Sequence, residues 1–231
     1  MVVDVKVHTN FPGIYWITSE DRSKKLGTKN IAPGFSVYGE RRVSFNNEEY
    51  RFWDPYRSKL AAAILNGLDR VPIFPGSKVL YLGAASGTTA SHISDIIGEK
   101  GQVYCIEFSS RSIRELVNNV CTHRYNMLPI LADARLPESY SCMIEQIDSI
   151  YFDVAQPEQA RILADNSDIF LIKGGWVMIT IKAQSIDVTK EPTEVFKKEI
   201  EILESRGFNV QNVINLEPFD KAHVMVVAYK K

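Results

Sequence analysis

The run Val79-Leu-Tyr-Leu-Gly-Ala-Ala-Ser-Gly-Thr-Thr89 constrains this chain more than any other stretch. Four apolar residues of strand character lead to Gly83, a loop of small residues leads to Gly87, and Thr88-Thr89 open a helical segment, Ala90 to Ile97. A strand feeding a Gly-rich turn and then a helix commits the region to an α/β sheet. It also offers a ligand site, because glycines let the backbone come close and the free N–H groups of a first helical turn face whatever sits there. A tight strand-to-helix turn without a ligand reads the same way.

The loop narrows the choice of ligand. It is Gly-Ala-Ala-Ser-Gly-Thr, lacking the third glycine of the dinucleotide fingerprint and the lysine of a phosphate-binding loop. That disfavours a pyrophosphate and suits a ligand with a ribose and a carboxylate, of which S-adenosylmethionine (SAM) is an example. A nicotinamide oxidoreductase is disfavoured on the same ground.

Downstream, strand and helix patterns alternate. Strands are expected at Gln102 to Phe108, Met127 to Ala132, Ser149 to Val154 and Trp176 to Lys182. Helices are expected from Ser112, with a capping box to Glu115, at Pro157 to Phe170, and at Thr193 to Ser205. The last two strands, Asn209 to Leu216 and Ala222 to Tyr229, are too close in sequence for a crossover and must be antiparallel neighbours. The expected fold is a Rossmann-like, seven-stranded, mostly parallel sheet whose last strand is antiparallel, as in SAM-dependent methyltransferases.

Upstream lies a region of short strands (Val3 to Val7, Ile14 to Ile17, Ser36 to Tyr38, Glu49 to Trp53), with turns at Gly13, Gly27 and Pro33-Gly34 and a hairpin turn at Asn46-Asn47. Ser19 to Lys25 reads as a polar loop. Asp54-Pro55 reads as the start of a helix to about Leu68. The division is therefore a small antiparallel β domain, 1–54, and a methyltransferase domain, 55–231.

Ligands of open α/β sheets bind at the carboxyl ends of the strands. Gly83, Glu107, Asp133, Asp153 and Lys182 all fall there. Glu107 can accept the ribose hydroxyls and Phe108 can cover an adenine; a solvated strand-end acid is the plainer reading. Asp133 suits an adenine amino group or an Asx turn. Asp153 and Lys182 end apolar strands in mid-sheet, where a charge must pair or act. Lys59, beside an apolar helix stripe, and His223, opening the last strand, can join them. A structural Asp153–lysine pair is the alternative. His8, His92 and His123 read as ordinary surface or packing residues.

Net charge is −1, but residues 1–60 hold ten Lys/Arg against seven Asp/Glu, so the N-terminal quarter is mildly basic. That is a hint of an RNA-facing side and equally the pattern of a solvated face. Three cysteines without paired spacing read as reduced structural thiols of an intracellular protein, with no zinc site, and no run is long enough for a membrane span.

Four runs, Asp54-Pro-Tyr-Arg-Ser-Lys-Leu-Ala-Ala62, Tyr81 to Thr89, Phe152-Asp-Val-Ala-Gln-Pro157 and Ile181-Lys-Ala183, resemble archaeal fibrillarin, and the resemblance extends over the whole chain. The Gly/Arg-rich tract of eukaryotic members is missing. The resemblance implies guide-RNA-directed methyl transfer from SAM to ribose 2′-hydroxyls of rRNA and tRNA, as the catalytic subunit of a box C/D small ribonucleoprotein in an archaeal cytoplasm. Its implied partners are a Nop-domain scaffold protein, a kink-turn-binding protein and a guide RNA, and a homodimer is compatible with it. It places a catalytic set on Lys59, Asp153, Lys182 and His223. Cofactor contacts fall on Thr88, Thr89, Glu107, Phe108, Asp133, Ala134, Asp153, Val154, Ala155 and Gln156, beside Gly83. In this scheme Lys182 removes the hydroxyl proton, Asp153 orients the lysines, Lys59 holds the hydroxyl or a phosphate, and no metal is needed. The rivals are a metal-dependent small-molecule O-methyltransferase, which would need more carboxylates, and a silent RNA-binding module.

Overall fold

The computed structural model describes residues 2–231. Two sheets organise it. Strands β1 (Val2–Val7), β2 (Ile14–Ser19), β3 (Lys24–Lys29), β4 (Arg42–Phe45) and β5 (Glu48–Phe52) form an antiparallel sheet in the order β1-β2-β3-β5-β4. The β4–β5 turn is the expected Asn46-Asn47 pair, both with positive φ.

The second sheet holds seven strands. After helix α1 (Lys59–Leu65) come β6 (Lys78–Leu82), α2 (Thr88–Ile97), β7 (Gln102–Glu107), α3 (Ser110–Asn119), β8 (Met127–Leu131), β9 (Ile147–Phe152), α4 (Gln159–Phe170) and β10 (Leu171–Lys182). The short α5 (Ala183–Ile186), then α6 (Pro192–Ser205), β11 (Phe208–Asn215) and β12 (His223–Lys230) complete the chain. The order is β11-β12-β10-β9-β6-β7-β8, with β12 inserted antiparallel between β10 and β11, the methyltransferase arrangement. Central strands are buried on both faces, so their side chains read as unbroken apolar runs. Val79 and Tyr81 of β6 enter the core layer under α1 and α2; Leu80 and Leu82 enter the opposite layer under α4. Among the described residues no helix is long and apolar enough to cross a membrane.

Several local expectations are corrected. Ser36 to Tyr38 is not a strand, because the Glu40 carboxylate accepts the N–H groups of Val37 and Tyr38 and so takes the donors a ladder would use. Gly27 is not in a turn but inside β3, where a Cβ would meet Ile17 Cδ1 at 2.4 Å and the Arg51 carbonyl at 2.7 Å. Lys24 and Lys25 belong to that strand rather than to the polar loop. The helix expected from Pro55 to Leu68 begins only at Lys59 and ends at Leu65; Asp54 caps a turn through the Tyr56 N–H instead. Helix α3 begins at Ser110, capped by the Ser109 hydroxyl on Ser112 N, so Ser112 is not the cap. Cys105 is buried as expected of a structural thiol, but Cys142 is exposed.

The two sheets are joined by a buried set of charges. Arg51 of β5 donates to Asp95 of α2 (2.9 Å), to Glu40 (2.6 Å) and to the Ser91 hydroxyl (2.9 Å). Arg124 donates to the other oxygen of Asp95 and to Asn30. These side chains are 0–1% exposed. Burial without partners would be costly, and here every charge has one. His92 lies in the same layer, stacked on Trp53, with Nδ1 2.8 Å from Thr28 Oγ1 and Nε2 2.8 Å from Tyr38 Oη. Since the Thr28 hydroxyl is donated to Asp95 (2.7 Å), His92 donates from Nδ1 to Thr28, and a neutral ring then accepts at Nε2 from the Tyr38 hydroxyl. Burial pushes its pKa well below the usual value, and the charges of Arg51 and Arg124 add to that. It is a packing histidine, one of the two readings expected of it, and part of the joint.

Candidate active site

Sheet register brings the charged residues together. In the β10–β12 ladder Lys182 stands directly opposite His223. The Asp153 N–H bonds to the Leu82 carbonyl (2.9 Å), which fixes Asp153 beside Gly83 at the carboxyl edge of β6 and β9. Gly83 has φ +83°, and a Cβ there would come within 3.0 Å of the Asp153 carbonyl, so only glycine lets these two strand ends meet. Lys59 is the first residue of α1, whose Leu60 to Ile64 are buried in the core, so the helix presents its lysine to the same rim.

The result is an alternating chain of charge. Lys182 Nζ lies 2.7 Å from Asp153 Oδ1, Asp153 Oδ2 lies 3.1 Å from Lys59 Nζ, and Lys59 Nζ lies 3.8 Å from Asp220 Oδ2. Asp220 Oδ1 is 3.0 Å from His223 Nδ1, which donates to the Lys221 carbonyl at 2.6 Å. All four predicted catalytic residues therefore converge. Their side chains are 12–22% exposed, dry enough for charge to be felt and open enough for a substrate to reach. Lys182 directs its hydrogen bond to the Asp153 backbone carbonyl (2.7 Å), so Asp153 Oδ1 feels the ammonium charge but receives no aligned donor. An acceptor in that state is a place for a hydroxyl proton.

Asp220 was not among the expected residues. It sits in the Glu217 to Lys221 turn, which reads in the sequence only as a connection, and nothing in its spacing ties it to Lys59. Gln159 was missed as well; its Oε1 accepts the Lys182 N–H at 3.0 Å and holds the end of β10 in place. Beneath the rim, the buried phenols of Tyr81 and Tyr151 have their pKa raised well above the ordinary value, by desolvation first, which leaves them protonated and unfit as bases.

The remaining candidates lie along the adjoining edge. Glu107, at the end of β7, is buried; its carboxylate accepts from Ala85 N (2.9 Å) and Ser109 N (2.8 Å), one bond to each oxygen, and keeps lone pairs for two more donors. Phe108 is 68% exposed, an apolar ring with nothing over it. Gly83, Phe108, Asp133, Ala134, Val154 and Gln156 line a recess of about 40 Å³. Ala155 lies between the last two and is exposed. Asp133 accepts the Arg135 N–H (2.9 Å) and pairs with its guanidinium, whose hydrogen bonds hold the carboxyl below its usual range. Thr88 opens α2, while the buried Thr89 hydroxyl is committed to Ser58 Oγ at 3.0 Å, tying the loop to the residue before Lys59.

These groups fit SAM. A glycine cradle that a Cβ would close, an acidic acceptor pair for ribose hydroxyls and an exposed aromatic face answer to its parts, and no cation cluster waits for a phosphate. The recess is far below the ~300 Å³ of an enclosed ligand pocket, so such a cofactor lies along an open cleft.

Fold and site together define a protein of the SAM-dependent methyltransferase class. The fibrillarin family model matches residues 5–231. A fibrillarin-like rRNA/tRNA 2′-O-methyltransferase of Methanopyrus kandleri is 55% identical over 226 residues, 98% of this chain and 97% of the relative. The structure of Aeropyrum pernix fibrillarin with natively bound S-adenosyl-L-methionine superposes with a TM-score of 0.93 at 51% identity, covering 99% of both chains. A fibrillarin/Nop5p complex contains a chain that matches with a TM-score of 0.82 at 42% identity, covering 90% of this chain and 94% of that one. The chain belongs to the fibrillarin family.

Proposed function

We propose that this chain transfers a methyl group from SAM to the 2′-hydroxyl of ribose in rRNA and tRNA, as the catalytic subunit of a box C/D small ribonucleoprotein of the archaeal cytoplasm, with a guide RNA choosing the nucleotide. The observation that carries the reading is the Lys182–Asp153–Lys59–Asp220–His223 chain at the rim that Gly83 shapes. Its relatives are named as rRNA/tRNA 2′-O-methyltransferases, and a family member forms a complex with Nop5p. A Nop-domain scaffold, a kink-turn-binding protein and the guide RNA are accordingly the proposed partners.

SAM supplies a methyl on a sulfonium, already strongly electrophilic. What remains for the protein is to hold the hydroxyl in line and take its proton. Lys59 and Asp153 hold the hydroxyl between a donor and an acceptor. Lys182 receives the proton as the neutral amine, once its own proton has been released to water, with Asp153 keeping the two amines apart and aimed. Asp220 fixes Lys59 and His223 from the far side.

Lys182→Ala tests this. Methylation by the assembled particle is expected to fall ~10²–10⁴-fold while SAM affinity, measured by calorimetry, stays within a few-fold. A fully active variant would remove Lys182 from the proton-accepting role. A chain of net charge −1 neutralises few phosphates, so isolated protein should bind and methylate free RNA poorly; efficient, sequence-selective methylation without the guide would contradict the ribonucleoprotein role.

A further inference from the structure

The basic character of the N-terminal quarter is not spent in the charge joint. A groove of about 570 Å³ lies where the N-terminal sheet meets the turn that leads into α1. Lys24, Lys25, Arg41 and Arg57 line it, against Asp54, whose carboxylate accepts the Tyr56 N–H; the other acid in its wall, Glu40, is neutralised by Arg51. All four cations are exposed. Among the described residues none of the four is in an ion pair. The two guanidiniums are instead braced on aromatic faces, Arg41 5.2 Å from the Phe52 ring centroid and Arg57 5.7 Å from that of Tyr38. Exposed cations outside ion pairs, with Asp21 near Lys25 and Asp54 as the acids about them, are disposed to receive anions.

The groove also has a direction. Tyr56, 68% exposed, lines it and packs edge-on against Phe219, with ring centroids 5.1 Å apart. Phe219 precedes Asp220, and Tyr56 stands three residues before Lys59, so Tyr56 in the groove wall touches the segment that carries Asp220 to the rim. A series of cations leading to an exposed aromatic ring is the chemistry that grips an RNA backbone and stacks a base or sugar.

We infer that this groove holds the RNA strand carrying the acceptor ribose, with backbone phosphates flanking that ribose on Lys24, Lys25, Arg41 and Arg57 and Tyr56 against the nucleotide nearest the site. The inference rests on the proposed RNA methylation and adds the surface that delivers the substrate.

The test uses the full chain assembled with scaffold, kink-turn-binding protein and guide RNA. In K24A/K25A/R41A, and separately in R57A, KM for target RNA is expected to rise about tenfold for the triple variant, with SAM affinity unchanged. The dependence of log KM on log salt should flatten by ~0.7 per cation removed. Lys100→Ala/Lys173→Ala, which removes two exposed charges elsewhere, is the control. KM shifts equal to the control would overturn the groove. So would loss of scaffold binding in a pull-down with purified components, which would make the groove a protein-docking surface. A wild-type particle that methylates no RNA would sink the functional reading instead. Anisotropy of a labelled target RNA at low salt, wild type against triple variant, would then still decide the groove.

Discussion

The protein contains two clusters with the same inventory: two cations, two carboxylates and a histidine. At the joint between the sheets these are Arg51, Arg124, Asp95, Glu40 and His92; at the rim they are Lys59, Lys182, Asp153, Asp220 and His223. The joint uses arginine, whose rigid fork saturates several acceptors and whose proton stays on. The rim uses lysine, a mobile point charge that can give its proton up and take it back. The joint is dry and fully bonded; the rim is part-exposed and leaves Asp153 Oδ1 without an aligned donor. The same kinds of charge thus make a fastener in one place and a reactive site in the other, and the choice of cation, the burial and the geometry decide which.

That contrast can be broken by substitution. The largest effect is expected at the joint: Arg51→Met strands Glu40 without its ion-pair partner and leaves Asp95 with Arg124 alone, and should cost about 3–5 kcal/mol in chemical denaturation. At the rim, Lys182→Ala should cost about 1 kcal/mol or less in the same measurement, because its pairs are partly solvated, while destroying activity. If the two variants lost stability equally, the distinction would fail. Asp220→Asn, which keeps shape and removes charge, should slow methylation about tenfold, an effect of ~1.4 kcal/mol on the barrier, with unfolding unchanged; wild-type rates would leave Asp220 a turn residue only.

The smallest effect concerns pH. His92 is held neutral, so its folded pKa lies below the unfolded value of about 6.5. The unfolded chain then binds the extra proton first, and stability falls as pH drops below ~6.5, by up to ~1.4 kcal/mol per unit. Melting temperatures of wild type and His92→Gln between pH 7.5 and 5.5 should converge as pH falls; parallel curves would show that His92 contributes nothing to the dependence.

The rim was legible from sequence for a simple reason. Asp153 and Lys182 end apolar strands, and a charge at such a position is visible without knowing its neighbours. The long runs around Lys59 and Gly83 added the rest through resemblance. Asp220 was hidden because its role depends on where a turn lands, 161 residues from Lys59 in sequence. The joint was hidden for the same reason: Arg51 and Asp95 meet only after both sheets exist. Their signal is faint, an arginine on the inward side of a strand and an aspartate and histidine inside an apolar helix stripe. The misread segments at Ser36 to Tyr38 and from Pro55 share one cause, the Glu40 and Asp54 side chains taking backbone donors that local pattern assigns to ladders or helices.

Strand β12 enters the sheet between two strands already made, and it carries His223, with Asp220 just before it. On the ribosome, the cofactor loop and both lysines emerge well ahead of that strand. The methyl donor's cradle can thus take shape early, while the proton-handling half stays unfinished until the final insertion. Catalytic competence is in this way deferred until β12 has been made, and loss of that strand would be expected to leave a protein without a working rim.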